Sequence, residues 1–229
     1  MTAPLSQVRL VLFDLDGTLV DSAPQLHRSV VAALAALGKG PVTLSEVSAW
    51  VGNGADMLLR RAWQGRHEVD AMPPAELPAL RAAFDADYAE AATQGVSLYP
   101  GVRETLTSLQ QAGKCLALVT NKPSRFVPAI LDQVGLRDLF SQVVGGDCLP
   151  VRKPDPAPLL HICAQAGIPP EQSLMVGDSR SDVLAARHAG MPVVGLTYGY
   201  NHGEPIAASD PDWILDDFAK LTPLVLGSL

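Results

Sequence analysis

Residues Val8-Arg9-Leu10-Val11-Leu12-Phe13-Asp14-Leu15-Asp16-Gly17-Thr18 form an apolar run that ends in two acids and a glycine. A run of this kind predicts a buried strand, and carboxylates are rarely buried unpaired because desolvating them is costly. Asp14 and Asp16 read in isolation as a solvated turn, since Asp and Gly are common turn residues. Their position directly behind so apolar a stretch points instead to a site that holds a cation and a phosphate. It also puts them at a strand C-terminus, where open α/β sheets hold their ligands.

Outward from this stretch, further short apolar runs predict buried strands at 115–119, 142–145, 173–176 and 192–196, with 213–215 as a sixth. Helical patterns separate most of them: 125–134 before Gly135, 156–166 before Gly167, and 180–189 before Gly190. Proline just inside a helix and glycine just past it are the expected stops. Strand alternating with helix predicts an α/β fold, a doubly wound, Rossmann-like parallel sheet.

The rhythm breaks once. A strand–helix–strand unit takes roughly 30 residues, yet about 100 residues lie between Asp16 and the next strand near Cys115. Helical patterns fill that gap: an Ala/Leu-rich stretch over 23–37, the capping-box sequence Thr43-Leu44-Ser45-Glu46, and the stripe Leu77, Leu80, Phe84, Tyr88. The chain is therefore divided into a catalytic core (1–19 and 96–229) and an all-helical cap subdomain (20–95), inserted directly after the acidic loop and expected to sit over it. Within the cap, Gly52-Asn53-Gly54 is either a helix-linking turn or a substrate-contacting loop whose glycines admit close backbone approach. Arg60 and Arg61 read as a solvated helical face, with partners for a substrate carboxylate as the lesser alternative.

Four strand ends carry polar chemistry. Asp14 and Asp16 end the first. Thr120-Asn121 end the second and can donate to phosphate oxygens, though alone they read equally as a cap or turn. Lys153 follows the third and alone reads as a solvated loop lysine. Gly177-Asp178-Ser179-Arg180-Ser181-Asp182 end the fourth. Asp178 is placed to ligate a hard cation such as Mg²⁺, whereas Asp182 also suits a first helical turn. A parallel sheet brings all four ends to one edge.

The chain has 229 residues, a net charge of -7 and 5% aromatic residues. With no run of Lys or Arg, a nucleic-acid groove is not expected. No stretch has the ~18–20 apolar residues of a membrane helix, and no signal peptide is read at the N-terminus. Cys115, Cys148 and Cys163 are scattered, so neither a disulfide framework nor a metal-ligand set is expected, and the protein is read as cytoplasmic.

In order and at strand ends, Asp14-Leu15-Asp16-Gly17-Thr18, Thr120-Asn121, Lys153-Pro154 and Gly177-Asp178-Ser179-Arg180-Ser181-Asp182 resemble the four motifs of the haloacid dehalogenase superfamily. The inserted helices are similar to that superfamily's helical cap. Val51-Gly52-Asn53-Gly54, Tyr99-Pro100-Gly101-Val102, Thr120-Asn121-Lys122-Pro123 and Tyr198-Gly199-Tyr200-Asn201 resemble the branch that hydrolyses 2-phosphoglycolate, although other small-substrate phosphatases share part of them. The resemblance implies an Mg²⁺-dependent phosphomonoesterase with Asp14 as nucleophile and Asp16 as general acid and base. It implies a metal held by Asp14, the Asp16 carbonyl and Asp178, phosphate held by Thr120, Asn121 and Lys153, and Asp182 orienting the metal's waters or Lys153. Gly52, Asn53 and Gly54 are its candidate specificity residues. The implied partner is a small phosphorylated metabolite, acted on by a monomer or homodimer. A sugar-phosphate or amino-sugar-phosphate phosphatase, a phosphomutase, and a non-catalytic binding protein on the same scaffold remain the alternatives.

Overall fold

The computed structural model describes residues 5–70 and 74–227. Six strands form one sheet in the order β5-β4-β1-β6-β7-β8, every pair parallel. They are β1 (Leu10–Phe13), β4 (Cys115–Val119), β5 (Gln142–Val144), β6 (Ser173–Gly177), β7 (Val193–Leu196) and β8 (Trp213–Leu215). The chain winds outward from β1 through β4 to β5, then returns to the other side of β1 for β6, β7 and β8. Both neighbours of β1 are thus reached by crossovers, and the crevice of a doubly wound sheet opens at its C-terminal end. The register is level: Phe13 pairs with Leu118 on one side and Val176 on the other. Asp14, Thr120 and Asp178 therefore leave the sheet side by side.

Alternation along the strands divides the core. Val11, Phe13, Leu118 and Val176 face α5 (Val102–Gln111), α6 (Val127–Gln133) and α9 (Leu221–Leu226). Leu10, Leu12, Ala117 and Met175 face α7 (Ala157–Ala166) and α8 (Arg180–Ala189). With both faces covered, the strands carry no polar side, which is why they read as continuous apolar runs.

Between β1 and α5 lie four helices: α1 (Ala23–Ala36), α2 (Leu44–Trp50), α3 (Ala55–Gln64) and α4 (Leu77–Ala91). The Thr43/Glu46 capping box forms as expected: the Thr43 hydroxyl accepts from Glu46 N–H, while Thr43 N–H donates to the Glu46 carboxylate. Leu80, Phe84 and Tyr88 are buried along α4. The sequence pattern predicts no strand in this region, and it holds two. β2 (Val20–Asp21) and β3 (Ser97–Leu98) pair antiparallel where the chain enters and leaves the four helices. Two-residue strands carry no period to read. The expected helix over 125–134 begins as a 3₁₀ turn, Ser124–Phe126, and becomes α-helical at Val127. No helix among the described residues is long and apolar enough to cross a membrane.

Candidate active site

Asp14 follows β1 directly, and its N–H donates to the Val176 carbonyl of β6. That bond anchors the turn to the neighbouring strand. Gly17, at φ +87°, then lets the chain double back past Asp178. A Cβ at Gly17 would lie 2.3 Å from Asp178 Oδ2, so glycine is required by space as well as by conformation. Asp14 Oδ1 accepts from Leu15 N–H at 2.8 Å and faces Lys153 Nζ at 3.0 Å. Oδ2 has no protein partner among the described residues.

Lys153 is a buried hub. Its ammonium donates to Asp182 Oδ1 at 2.6 Å and to the Val119 carbonyl at 2.7 Å, in addition to its contact with Asp14. Burial opposes this charge, but Asp14 and Asp182 outweigh it and hold the pKa above the usual lysine range. Asp182 Oδ2 closes a capping box at the start of α8, accepting from Ser179 N–H at 3.0 Å and Ser179 Oγ at 2.7 Å. Asp182 thus combines the two roles read from sequence: a residue of the first helical turn and an orienting partner of Lys153.

Asp178 accepts from Thr18 Oγ1 and from Tyr200 N–H, each at 2.6 Å. No cationic side chain among the described residues reaches it. Burial first, then Asp182 and Asp14, push its pKa well above the ordinary carboxylate value. Asp14 is pushed up to about 7 by burial, against the pull of Lys153. Asp14, Asp178 and Asp182 each offer a carboxylate oxygen within 4.8 Å of the others. Three carboxylates share one ammonium, so the cluster when ionised falls two positive charges short, the deficit that a divalent cation fills. The residues fit Mg²⁺ in donor type as well, being hard oxygens.

Asp16 stands apart from this cluster, with a lysine of its own. Lys122 Nζ donates to Asp16 Oδ1 at 2.9 Å, to Oδ2 at 3.0 Å, and to the Tyr88 hydroxyl of α4 at 2.6 Å. Ser22 Oγ adds a further bond to Asp16 Oδ1, at 2.6 Å. Sequence reasoning assigns no role to Lys122, Ser22 or the Tyr88 hydroxyl. Lys122 lies within a quoted motif, but nothing local marks it as buried.

Two expectations change. Both amide hydrogens of Asn121 are engaged, donating to the carbonyls of Gly52 and Lys153 at 2.9 Å each. Its side chain ties the 52–54 loop to the core, which leaves the backbone of Asn121 rather than its amide for a phosphoryl oxygen. Arg61 is not a solvated residue: it is buried and donates to the carbonyls of Trp50 and His67. From within α3 it ties the end of α2 to the segment that follows α3, and Arg60 bonds the Asp70 carbonyl.

Gly52 and Gly54 line the cavity beside Asp14 and Asp16, whereas Asn53 is not among its lining residues. Gly52 and Gly54 carry positive φ, and a Cβ at Gly54 would meet Arg152 Nη1 at 2.7 Å. Asn53 donates to Ser181 Oγ on α8 at 3.2 Å. The helical segment therefore lies over Asp14 and Asp16 and bounds a half-open cavity of about 50 Å³. At roughly 10–15 Å³ for each water held, that is room for a few waters or a small organic group. Its walls include Thr120 and Asn121 below and Val51, Leu58 and Phe84 above. The Thr120 hydroxyl oxygen accepts from Lys122 N–H at 3.1 Å, so its own proton is free to be donated into the cavity.

Residues 8–190 match the family model for haloacid dehalogenase-like hydrolases. A phosphoglycolate phosphatase of Pseudomonas putida is 51% identical over 215 residues, covering 94% of this chain and 79% of its own length. One from Vibrio vulnificus is 48% identical over 223 residues, covering 97% of this chain and 98% of its own. A crystal structure described as a predicted phosphoglycolate phosphatase from Haemophilus somnus superimposes with a TM-score of 0.87 at 45% identity, covering 94% of this chain and 96% of that one.

Proposed function

The chain belongs to the haloacid dehalogenase-like hydrolases, and on that premise we propose that it hydrolyses 2-phosphoglycolate to glycolate and phosphate through an aspartyl-phosphate on Asp14. The observation that carries the chemistry is the unpartnered Oδ2 of a buried Asp14, beside Lys153 and Asp178, at the floor of a half-open cavity. The substrate rests on the names of the relatives and on the small size of that cavity.

In the first step an oxygen of Asp14 bonds to phosphorus as the bond from phosphorus to the glycolate oxygen breaks. Asp16 gives that oxygen its proton. In the second step water attacks the aspartyl-phosphate, Asp16 takes the water's proton, and Asp14 is restored. Lys153, the Thr120 hydroxyl and the backbone N–H of Asn121 hold the phosphoryl oxygens, whose charge they stabilise in the transition state. Asp14, Asp178 and the Asp16 carbonyl would hold Mg²⁺, which when bound supplies the positive charge that lets a dianionic ester approach these carboxylates. Asp182 fixes Lys153 rather than binding the ester. Three free cysteines support a reducing, cytoplasmic setting.

Purified protein in Mg²⁺ is assayed for phosphate release from 2-phosphoglycolate and a panel of sugar phosphates. The expected result is a kcat/KM for phosphoglycolate well above every other ester. Faster hydrolysis of a sugar phosphate would overturn the substrate, and an isomerised ester with no free phosphate would indicate a mutase.

The metal has a second readout in stability. The unfolded chain releases the protons of Asp14 and Asp178 near 3.8, and the folded chain holds them to higher pH, about 7 for Asp14. Between those values the native state binds more protons, so stability falls as pH rises. In chelator the protein is expected to lose roughly 2–3 kcal/mol between pH 5 and pH 8. Millimolar Mg²⁺ is expected to raise Tm most at pH 8. A chelated protein that is as stable at pH 8 as at pH 5 would refute the uncompensated cluster.

A further inference from the structure

Lys122 is the only cationic side chain among the described residues that line the cavity. Neither Lys153 nor Arg61 is among those lining residues: Lys153 serves Asp14, Asp182, the Val119 carbonyl and the phosphoryl group, and Arg61 bonds Trp50 and His67. Arg152 is exposed and lies against the Gly54 turn without lining the cavity. The cavity wall opposite the aspartates is apolar, with Leu26, Leu58, Phe84 and Phe126. A substrate with a second anionic group must place it somewhere in this space, and an anion against hydrocarbon is strongly disfavoured unless a cation meets it.

Lys122 is 5% exposed, and all three of its ammonium protons are in use. Two go to Asp16 and one to Tyr88, over whose ring the ammonium also lies at 4.8 Å. It can take a new anion only by giving one up. Asp16 is the partner that can be given up, because Ser22 Oγ still holds it. Tyr88 belongs to the helical segment that covers the cavity, so keeping it holds that segment down. The N-terminus of α3, a helix of 10 residues, opens on the same space through Gly54 and Ala55 and favours the same sign of charge.

We propose that Lys122 selects the substrate's second anionic group: the carboxylate of the bound ester replaces Asp16 on Lys122 Nζ, the Tyr88 hydroxyl remains, and Asp16 is released toward the leaving oxygen. The lysine is a specificity-determining residue. An ester without a carboxylate leaves Asp16 locked to Lys122 and is turned over slowly for that reason. The inference rests on the phosphoglycolate reading above and names the residue that reads the carboxylate.

The test compares 2-phosphoglycolate with the phosphate ester of glycolamide, which has nearly the same shape and no second charge. Wild-type protein, Lys122→Met, Lys122→Gln and Lys122→Arg are assayed for kcat/KM on both esters in Mg²⁺, with circular dichroism to confirm folding. The wild type is expected to prefer the acid. In Lys122→Met and Lys122→Gln that preference is expected to fall on the order of 100-fold, and Lys122→Arg is expected to retain most of it. Lys122→Gln keeps a donor for Asp16, so it decides the matter if Lys122→Met does not fold. Equal losses on both esters would overturn the proposal, leaving Lys122 as a positioning residue for Asp16. A wild type indifferent to the two esters would instead overturn the carboxylate substrate itself, and this inference with it.

Discussion

Asp14→Asn is expected to lower phosphate release by roughly 10⁴-fold or more, because the group that bonds to phosphorus is removed and no neighbour replaces it. The fold is expected to survive. The amide oxygen of the substituted side chain still accepts from Leu15 N–H and from Lys153, the bonds that Asp14 Oδ1 makes now. Loss of one buried carboxylate from a cluster of three also removes repulsion from Asp178, whose pKa Asp14 helps to raise. The variant in chelator at pH 8 is therefore expected to melt above the wild type. Phosphate release and a thermal melt together check both halves. Substantial retained turnover would remove Asp14 from the attacking position, and a lower Tm would show that its charge is compensated within the chain.

Lys153→Met is expected to be the most destabilising single change in the site. It strips the one ammonium from Asp14 and Asp182, both buried, and orphans the Val119 carbonyl at the end of β4. Breaking a buried pair by removing one partner costs about 3–5 kcal/mol, which for a chain of this size is a fall in Tm on the order of 10 °C. Turnover is expected to vanish with it. Pairing the change with Asp182→Asn is expected to recover part of the stability and none of the activity, since the two residues share one interaction. Denaturant melts of the single and double variants give the coupling, and a single variant that loses less than about 1 kcal/mol would show that the hub is not structural.

How far the sequence carries depends on where each residue's partners lie. Asp14 and Asp178 are legible because an acid directly behind an apolar strand needs no distant information to be odd. Asp182 is legible as a residue of a first helical turn, while its link to Lys153, 29 residues away, comes only with the family resemblance. Lys122 is not. Its partners Asp16 and Tyr88 lie 106 and 34 residues back along the chain, one behind β1 and the other on α4, and meet it only in the folded protein. Tyr88 reads correctly as a member of an apolar stripe, yet its polar tip is the part that reaches the site. Asn121 and Arg61 mislead for a related reason. Backbone carbonyls, of Gly52 in a loop and of Trp50 at the end of α2, claim donors that side-chain chemistry alone would send elsewhere. A carbonyl that accepts from a distant side chain leaves no trace in the sequence.

The ribbon made by Val20–Asp21 and Ser97–Leu98 brings the entry and exit of residues 22–96 to adjacent positions. An excursion whose ends meet adds no net displacement to the chain, so the parallel sheet closes in the same way whatever the excursion contains. Closing a longer loop adds only slowly to the entropic cost, about 0.6 kcal/mol for each doubling of its length. The strand ends and the helices that cover them are thereby built on separable parts of one polypeptide. The strand ends that carry Asp14, Thr120 and Asp178 can be held constant while another helical segment, of different length and lining, is spliced in at the same ribbon.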